Sequence, residues 1–396
     1  MPSGKRPRVR EALRDFLNTE ASSGLALLTA AVAALVWANL FEQSYVETWE
    51  TQLRLGVGGA AKTLDLRHWI NDALMAVFFL VVGLEIKREL VVGELRDRRT
   101  AIVPVVAAAG GMIGPALTYL AFNPAPPTSR GWGIPMATDI AFAVGVLAAL
   151  GRRAPPGMKL FLLTLAIVDD IGAIAVIALV YTEKLAVEGL LWAAGGVLMI
   201  VVLRRLGTRP AWAYLLPGFV IWAGTAASGV HPTIAGVALG LATPARPIRG
   251  RAVLDDLQER LHPLSSFVVI PLFALANAGI SVDAASLRNA VGSPVFAGTS
   301  VGLVAGKTLG ITLATVAVLR VSRAKLPAGM RLWHVAAVGA LGGIGFTVAI
   351  FIGELAFTDP SVAGAAKTGV LLGSIVSALL GAAILMASSR QRSKGR

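Results

Sequence analysis

Apolar runs recur along this whole chain, separated by short links rich in Arg, Lys, Pro or Gly. A helix needs ~20 mostly apolar residues to cross the hydrocarbon core of a bilayer. Candidate runs fall near 22–41, 69–91, 101–122, 133–150, 158–181, 187–203, 211–228, 230–243, 264–281, 295–319, 333–357 and 367–388. The pattern predicts an all-α polytopic membrane protein with about twelve transmembrane helices. It forms one membrane domain over 1–396, with a basic N-terminus at 1–20, a bundle over 22–388 and a basic tail at 389–396. The run at 230–243 is short, which suits a partly re-entrant or protein-buried helix, since non-helical backbone at membrane depth survives only where protein or a water cavity satisfies it.

Composition agrees with that picture. Charged residues make up 15% of the chain and hydrophobic residues 55%, with a mean hydropathy of +0.71, whereas a soluble protein carries roughly a quarter charged residues. The formal charge of +13 raises nucleic acid as a partner, but the positions of the bases argue against it. Twenty-eight of the 36 Lys and Arg fall on one side of a twelve-span topology: in the head, the tail, and the loops Lys87 to Arg99, Arg152 to Lys159, Arg204 to Arg209, Arg246 to Arg260 and Arg320 to Arg331. Seven lie on the other side, and Lys307 lies inside a span. The positive-inside rule then puts both termini in the cytoplasm, which needs an even number of spans. The basic head, tail and loops are expected to sit against anionic lipid. The first run lacks an A-x-A exit and reads as a span rather than a cleaved signal. With no cysteine, the chain can hold neither disulfides nor Cys-ligated zinc or iron–sulfur clusters. Its four histidines have no metal-ligand spacing, so no cofactor is expected.

An ionisable side chain at mid-membrane costs about 2.5–3.5 kcal/mol on insertion scales, so each one needs a reason. Few qualify: Asp139 in GIPMATDIAFAVG, Asp169 and Asp170 in KLFLLTLAIVDDIGAIAVIALV, and Lys307 in VGLVAGKTLGITLA. A lone buried acid can be a salt-bridged group that only fixes packing. For the adjacent pair that account is weaker, because consecutive helical residues point about 100° apart and two repelling charges would need separate partners. Carboxylate oxygens are hard ligands suited to hard cations, and desolvation favours the protonated acid. Proton and cation then compete for one site, which is the chemistry of exchange. A lysine reaching either aspartate would make the group titrate as a coupled unit.

Two spans carry breaks near their middles. In the fourth, Gly131, Gly133 and Pro135 precede Thr138 and Asp139; in the eleventh, Gly339, Gly342, Gly343 and Gly345 precede Phe346 and Thr347. Interrupted helices at matching places in two halves of a transporter point to a midplane binding site. Spans three to five and ten to twelve are the candidate repeats, and glycine-mediated helix packing is the other reading of the eleventh span.

These residues resemble the NhaA-type sodium/proton antiporters, a bacterial family, from Thr19 to about Leu385. The resemblance runs through HWINDALMAVFFLVVGLEIKREL, MATDIAFAVGVLAALG, LAIVDDIGAI, GVHPTIAG, IPLFALANAG, GK-x-LGI at Gly306 to Ile311, and GGIGFTVAIFI. The generalisation about interrupted helices was drawn partly from NhaA itself and adds no independent weight. The resemblance implies twelve helices with inverted repeats and crossed breaks in helices four and eleven. It also implies electrogenic exchange of one Na⁺ or Li⁺ for two H⁺ across the bacterial inner membrane, serving pH and sodium homeostasis. By position it makes Asp170 the principal cation ligand, Asp169 the second carboxylate and partner of Lys307, and Thr138 a nearby oxygen donor. It has Asp139 offset the positive half-helix ends and Lys307 the negative ones. Glu85, Lys87, Arg88 and Glu89 correspond to a pH-response and entry region, for which an ordinary helix-end charge cluster is the plain alternative. Asp72 matches a family acid, and His231 lies in the matched GVHPTIAG turn either as a regulator or as a satisfied loop histidine. The segment Phe41 to Leu66 corresponds to a dimerising β-hairpin, although its alternation is poor.

There are departures from the family. Relatives place an acid and two histidines before the proline that opens helix nine, whereas this chain reads Gln258, Glu259, Arg260, Leu261, His262, with one histidine left to act with Glu259 in pH response. Thr308 stands where a proline often follows the membrane lysine. Other classes fit less well. GLVAGKT has three residues between its glycines where a phosphate loop needs four, and it lies in an apolar span. An aspartyl protease would leave Lys307 without a role, and a passive channel would not need a titratable pair. A sodium-coupled solute symporter is the main alternative, because broken helices serve that class too. No enzyme activity is expected.

Overall fold

The computed structural model describes residues 9–55, 62–182, 185–208, 210–245, 253–322 and 324–394. Of the bases assigned to loops, Lys5, Arg6, Arg8, Lys184, Arg209, Arg246, Arg249, Arg251, Arg323 and Arg396 lie outside these residues. The first span is one helix, Val9–Leu40, running through much of the basic head. No Gly or Pro stands between Val9 and Ser23 to end a helix, so the expected boundary at residue 22 is not a break. The second span is Leu66–Val91, the third Arg98–Phe122, the fifth Pro156–Val180 and the sixth Val187–Arg205. The seventh is Leu215–Ser228, the eighth Ile234–Ala242, the ninth 253–277, the tenth Pro294–Val321 and the twelfth Pro360–Lys394.

The fourth and eleventh spans are broken where their glycines and proline predict. Thr128–Met136 meets Ile140–Ala149 at 43°, and Leu332–Gly342 meets Phe346–Ala356 at 49°. Among the described residues seven helices are long and apolar enough to cross a membrane, and nine spans result when each bent pair counts as one. The other three expected spans differ for visible reasons. The seventh and eighth have 14 and 9 residues, and the ninth begins on the polar stretch Asp255 to Arg260. The eighth is buried against the second, with backbones so close that a Cβ on Gly236 would stand 2.0 Å from the Ala76 carbonyl oxygen. That is the protein-buried setting expected for a short helix at membrane depth.

A similar seam joins the third and tenth spans. A Cβ on Gly310 would fall 2.1 Å from the carbonyl oxygen of Gly110, and one on Gly114 would fall 2.6 Å from that of Gly306. Glycines four apart on both helices let the backbones touch, the usual way membrane helices gain van der Waals contact without a hydrophobic driving force. Three spans also contain widened π turns: Ile70–Leu74, Ser265–Val269 and Gly302–Gly306, the last ending just before Lys307.

Outside the bundle, β1 (Gln52–Leu55) pairs antiparallel with β2 (Lys62–Asp65), Gln52 opposite Asp65 and Leu53 opposite Leu64. The hairpin implied by the resemblance is therefore present despite its poor alternation. Trp69 Nε1 pins it by donating to the Leu53 carbonyl at 3.0 Å, and Asp65 caps the start of the second span by accepting from the His68 N–H.

Candidate functional site

The two breaks cross each other, and the Asp139 N–H donates to the Ile344 carbonyl at 2.6 Å. Each break leaves helix-end groups that need partners in an apolar setting. Asp139 supplies them for both half-helices that begin there. Its Oδ1 accepts from the Phe142 N–H at 3.1 Å, and its Oδ2 accepts from the Thr347 N–H at 3.2 Å and the Thr347 hydroxyl at 2.8 Å. A carboxylate at two helix N-termini is the favourable sign.

The half-helices that end at the breaks meet the opposite arrangement. Lys307 Nζ donates to the carbonyl of Met136, the last residue of Thr128–Met136. The Thr138 hydroxyl lies 2.9 Å from the carbonyl of Gly342, the last residue of Leu332–Gly342. That hydroxyl is also 2.7 Å from Asp169 Oδ2, so its one hydrogen is shared or alternates between the two acceptors. Lys307 Nζ stands 2.8 Å from the same Oδ2, and neither side chain reaches solvent. Asp169 Oδ1 is buried without a hydrogen-bond partner among the described residues. Thr308 leaves the helix intact after Lys307, its hydroxyl bonding to the Val304 carbonyl at 2.5 Å.

Asp170 faces elsewhere. It lines a cavity of about 190 Å³ together with Thr138, Asp139 and Thr347, whereas Asp169 and Lys307 are not among its lining. Toward the basic-loop face the lining includes Glu85, Arg88 and Glu89 of the second span, and Gln258 and His262 of the ninth. Arg88 donates to Gln258 Oε1 at 3.5 Å, and His262 Nε2 lies 4.0 Å from Glu85 Oε1. The structure thus brings five of the residues from the two charged segments to one mouth. Lys87 and Glu259 are not part of it, and Glu259 is exposed. His231 belongs to a different place. Its Nδ1 lies 2.8 Å from the Thr233 hydroxyl and its Nε2 3.6 Å from Asp72 Oδ1, while its ring packs edge-on against Phe351. Phe351 is fully buried and also contacts Phe79 and Phe273, one turn past Thr347 on the same half-helix. The letters alone did not single out the carbonyls of Met136 and Gly342, or Ser265 and Ser266 in the cavity wall.

A helical membrane protein whose two broken spans cross at a buried cluster of ionisable side chains beside a cavity is built like an ion-coupled transporter. Comparison with known proteins makes this specific. The family model described as Na⁺/H⁺ antiporter 1 matches residues 14–385. The chain is 46% identical to Na(+)/H(+) antiporter NhaA 3 of Frankia alni, covering 96% of this chain and 89% of that one. It is 48% identical to Na(+)/H(+) antiporter NhaA of an Escherichia coli strain, covering 93% and 96%. The solved sodium proton antiporter MjNhaP1 of Methanocaldococcus jannaschii shares the fold at a TM-score of 0.51 and 14% identity, covering 94% of this chain and 97% of that one. The chain belongs to the NhaA-type Na⁺/H⁺ antiporter family.

Proposed function

We propose that this chain exchanges Na⁺ or Li⁺ for H⁺ across the bacterial inner membrane, electrogenically at two H⁺ per cation, in pH and sodium homeostasis. The observation that carries the reading is the division of labour between neighbouring acids. Asp170 lines the cavity, while Asp169 is held by Lys307 and Thr138 behind it. Asp170 offers carboxylate oxygens to an arriving cation, with the Thr138 oxygen alongside. One proton leaves Asp170 when the cation binds. A second leaves the Asp169–Lys307 pair, because a cation beside Asp169 competes with the ammonium for the same carboxylate and favours neutral lysine. Two protons against one monovalent cation move one net charge per cycle. Asp139 keeps the crossed breaks neutral without taking part in either transfer.

Glu85, Arg88, Glu89 and His262 form the mouth by which cation and proton enter from the cytoplasm, the side of both termini under the positive-inside rule. Lys87 and Glu259 add charge near that mouth without lining it, and His231 answers to the opposite side. The pH response departs from that of relatives, because the segment Gln258 to His262 carries one histidine where relatives place two. The basic loops rest on anionic lipid, and the β1–β2 hairpin offers strand edges for a homodimer.

The test uses everted membrane vesicles and a pH-sensitive dye. Addition of Na⁺ or Li⁺ should dequench the dye across roughly pH 6.5 to 9, the range in which histidine and perturbed carboxyls titrate, while K⁺ should not. The Asp170→Asn variant should insert normally and give no signal. A silent wild-type chain would sink the exchange reading, and wild-type exchange by the variant would move the site away from Asp170.

A further inference from the structure

Two serines in the ninth span are out of keeping with their neighbours. Leu264, Phe267 and Val268 are 44%, 42% and 42% exposed on the apolar outer surface, whereas Ser265 and Ser266 between them are 2% and 7% exposed and line the cavity that holds Asp170. On a regular helix two consecutive residues diverge by about 100°. Here they begin the π turn Ser265–Val269, closed by the Ile270 N–H bonding back to the Ser265 carbonyl, and Pro271 then withholds the next N–H. Both nevertheless line one cavity, at the start of this widened turn. Widened turns of this kind are frequent at functional sites.

Among the described residues, neither hydroxyl is hydrogen-bonded to another protein group. Both residues are buried, yet neither Oγ is sealed in packed protein, so each hydroxyl opens onto the cavity. Ser228 and Ser300 in the bundle show the usual pattern, donating to the Thr225 and Phe296 carbonyls, whereas Ser377 Oγ is buried without a partner among the described residues but lines no part of this cavity. Ser265 and Ser266 keep their oxygens for the cavity. They follow Gln258 and His262 of the mouth along the ninth span, and the fifth-span wall of the same cavity carries Thr164 and Asp170. A cation entering past Glu85 and Glu89 must shed water before it reaches a carboxylate with few remaining partners. Neutral oxygen dipoles that replace part of the hydration shell are how ion pathways make that step affordable.

We propose that Ser265 and Ser266 form a dehydration station for Na⁺ or Li⁺ between the cavity mouth and Asp170. The station rests on the exchange reading above. It holds the cation through two neutral oxygens, weakly enough to pass it on, and carries no proton itself. Its loss therefore weakens capture of the cation without blocking turnover.

The test compares the full-length chain with S265A/S266A and S265T/S266T in everted vesicles, reading the dye response against Na⁺ and Li⁺ concentration. Removing both hydroxyls should raise the apparent KM for each cation about fivefold or more while the saturating rate stays within about twofold, the signature of lost binding rather than lost chemistry. The threonine pair, which restores the hydroxyls, should return KM to within about twofold of wild type. An unchanged KM in S265A/S266A would overturn the station, and so would a KM rise that threonine does not reverse, since that would report packing. If wild type exchanges and the alanine pair behaves like it, only the station falls. If wild type shows no exchange, the station has no path to serve and falls with the exchange reading.

Discussion

Thr347 gives both its backbone N–H and its hydroxyl to a single oxygen of Asp139, 208 residues earlier in the chain. The other oxygen of Asp139 caps the half-helix that follows it in its own span. One carboxylate thus closes two helix ends that a break in an apolar span would otherwise leave unpaired.

Asp139→Ala should therefore cost about 1–3 kcal/mol of stability, the range for losing helix caps together with their favourable charge. The check is a thermal unfolding series in detergent. Thr347→Ala, which removes one of the three bonds, should lower the midpoint by less, and an Asp139→Ala midpoint equal to wild type would contradict the double-cap geometry.

Lys307→Ala leaves Asp169 buried without its ammonium, a change expected to destabilise by about 3–5 kcal/mol. A second substitution, Asp169→Asn, made in the same chain should recover much of that loss. Membrane-potential measurements would also move toward electroneutral exchange, and a Lys307→Ala protein with unchanged melting and unchanged charge movement would refute the pairing.

The charged site was legible because charge inside an apolar span is rare: Asp169, Asp170, Asp139 and Lys307 stood out as letters, and the Gly and Pro clusters marked both breaks. Their partners were not, for a physical reason. Lys307 and Thr138 are satisfied in part by the carbonyls of Met136 and Gly342, and every residue has a carbonyl, so nothing in the side chains marks these two. Ser265 and Ser266 read as ordinary small residues because nothing in their type marks which face of the ninth span meets the cavity. The hairpin was obscure because four-residue strands are too short for alternation to show, and its presence was implied only through resemblance.

Gly310→Ala should sharply reduce the yield of monodisperse protein, because the added methyl would meet the Gly110 backbone, which cannot move aside as a flexible side chain could. Gly195→Ala is the matched control, since nothing lies within 4 Å of its Cβ position. Fluorescence-detected gel filtration distinguishes the two. Equal profiles would mean that the third and tenth spans are not packed as described.

The chain contains no cysteine, so single-cysteine labelling needs no prior engineering. Gln258→Cys, at the cavity mouth, should react with a membrane-impermeant maleimide in everted vesicles and not in right-side-out ones. Val282→Cys, at an exposed position beyond the far end of the ninth span, should do the reverse. The opposite pattern would invert the topology.

The cavity lies between two of the glycine seams that join spans of the bundle. One stitches the third span to the tenth, the other the second to the eighth, and backbones in direct contact cannot slide without unlocking. The walls of the cavity come from both sides: the second and ninth spans on one, the fourth, fifth and eleventh on the other. The carboxylate stands on the wall built by the fourth, fifth and eleventh spans and the two serines on the wall built by the second and ninth, so any relative movement of the two walls changes the spacing between Asp170 and the serine oxygens.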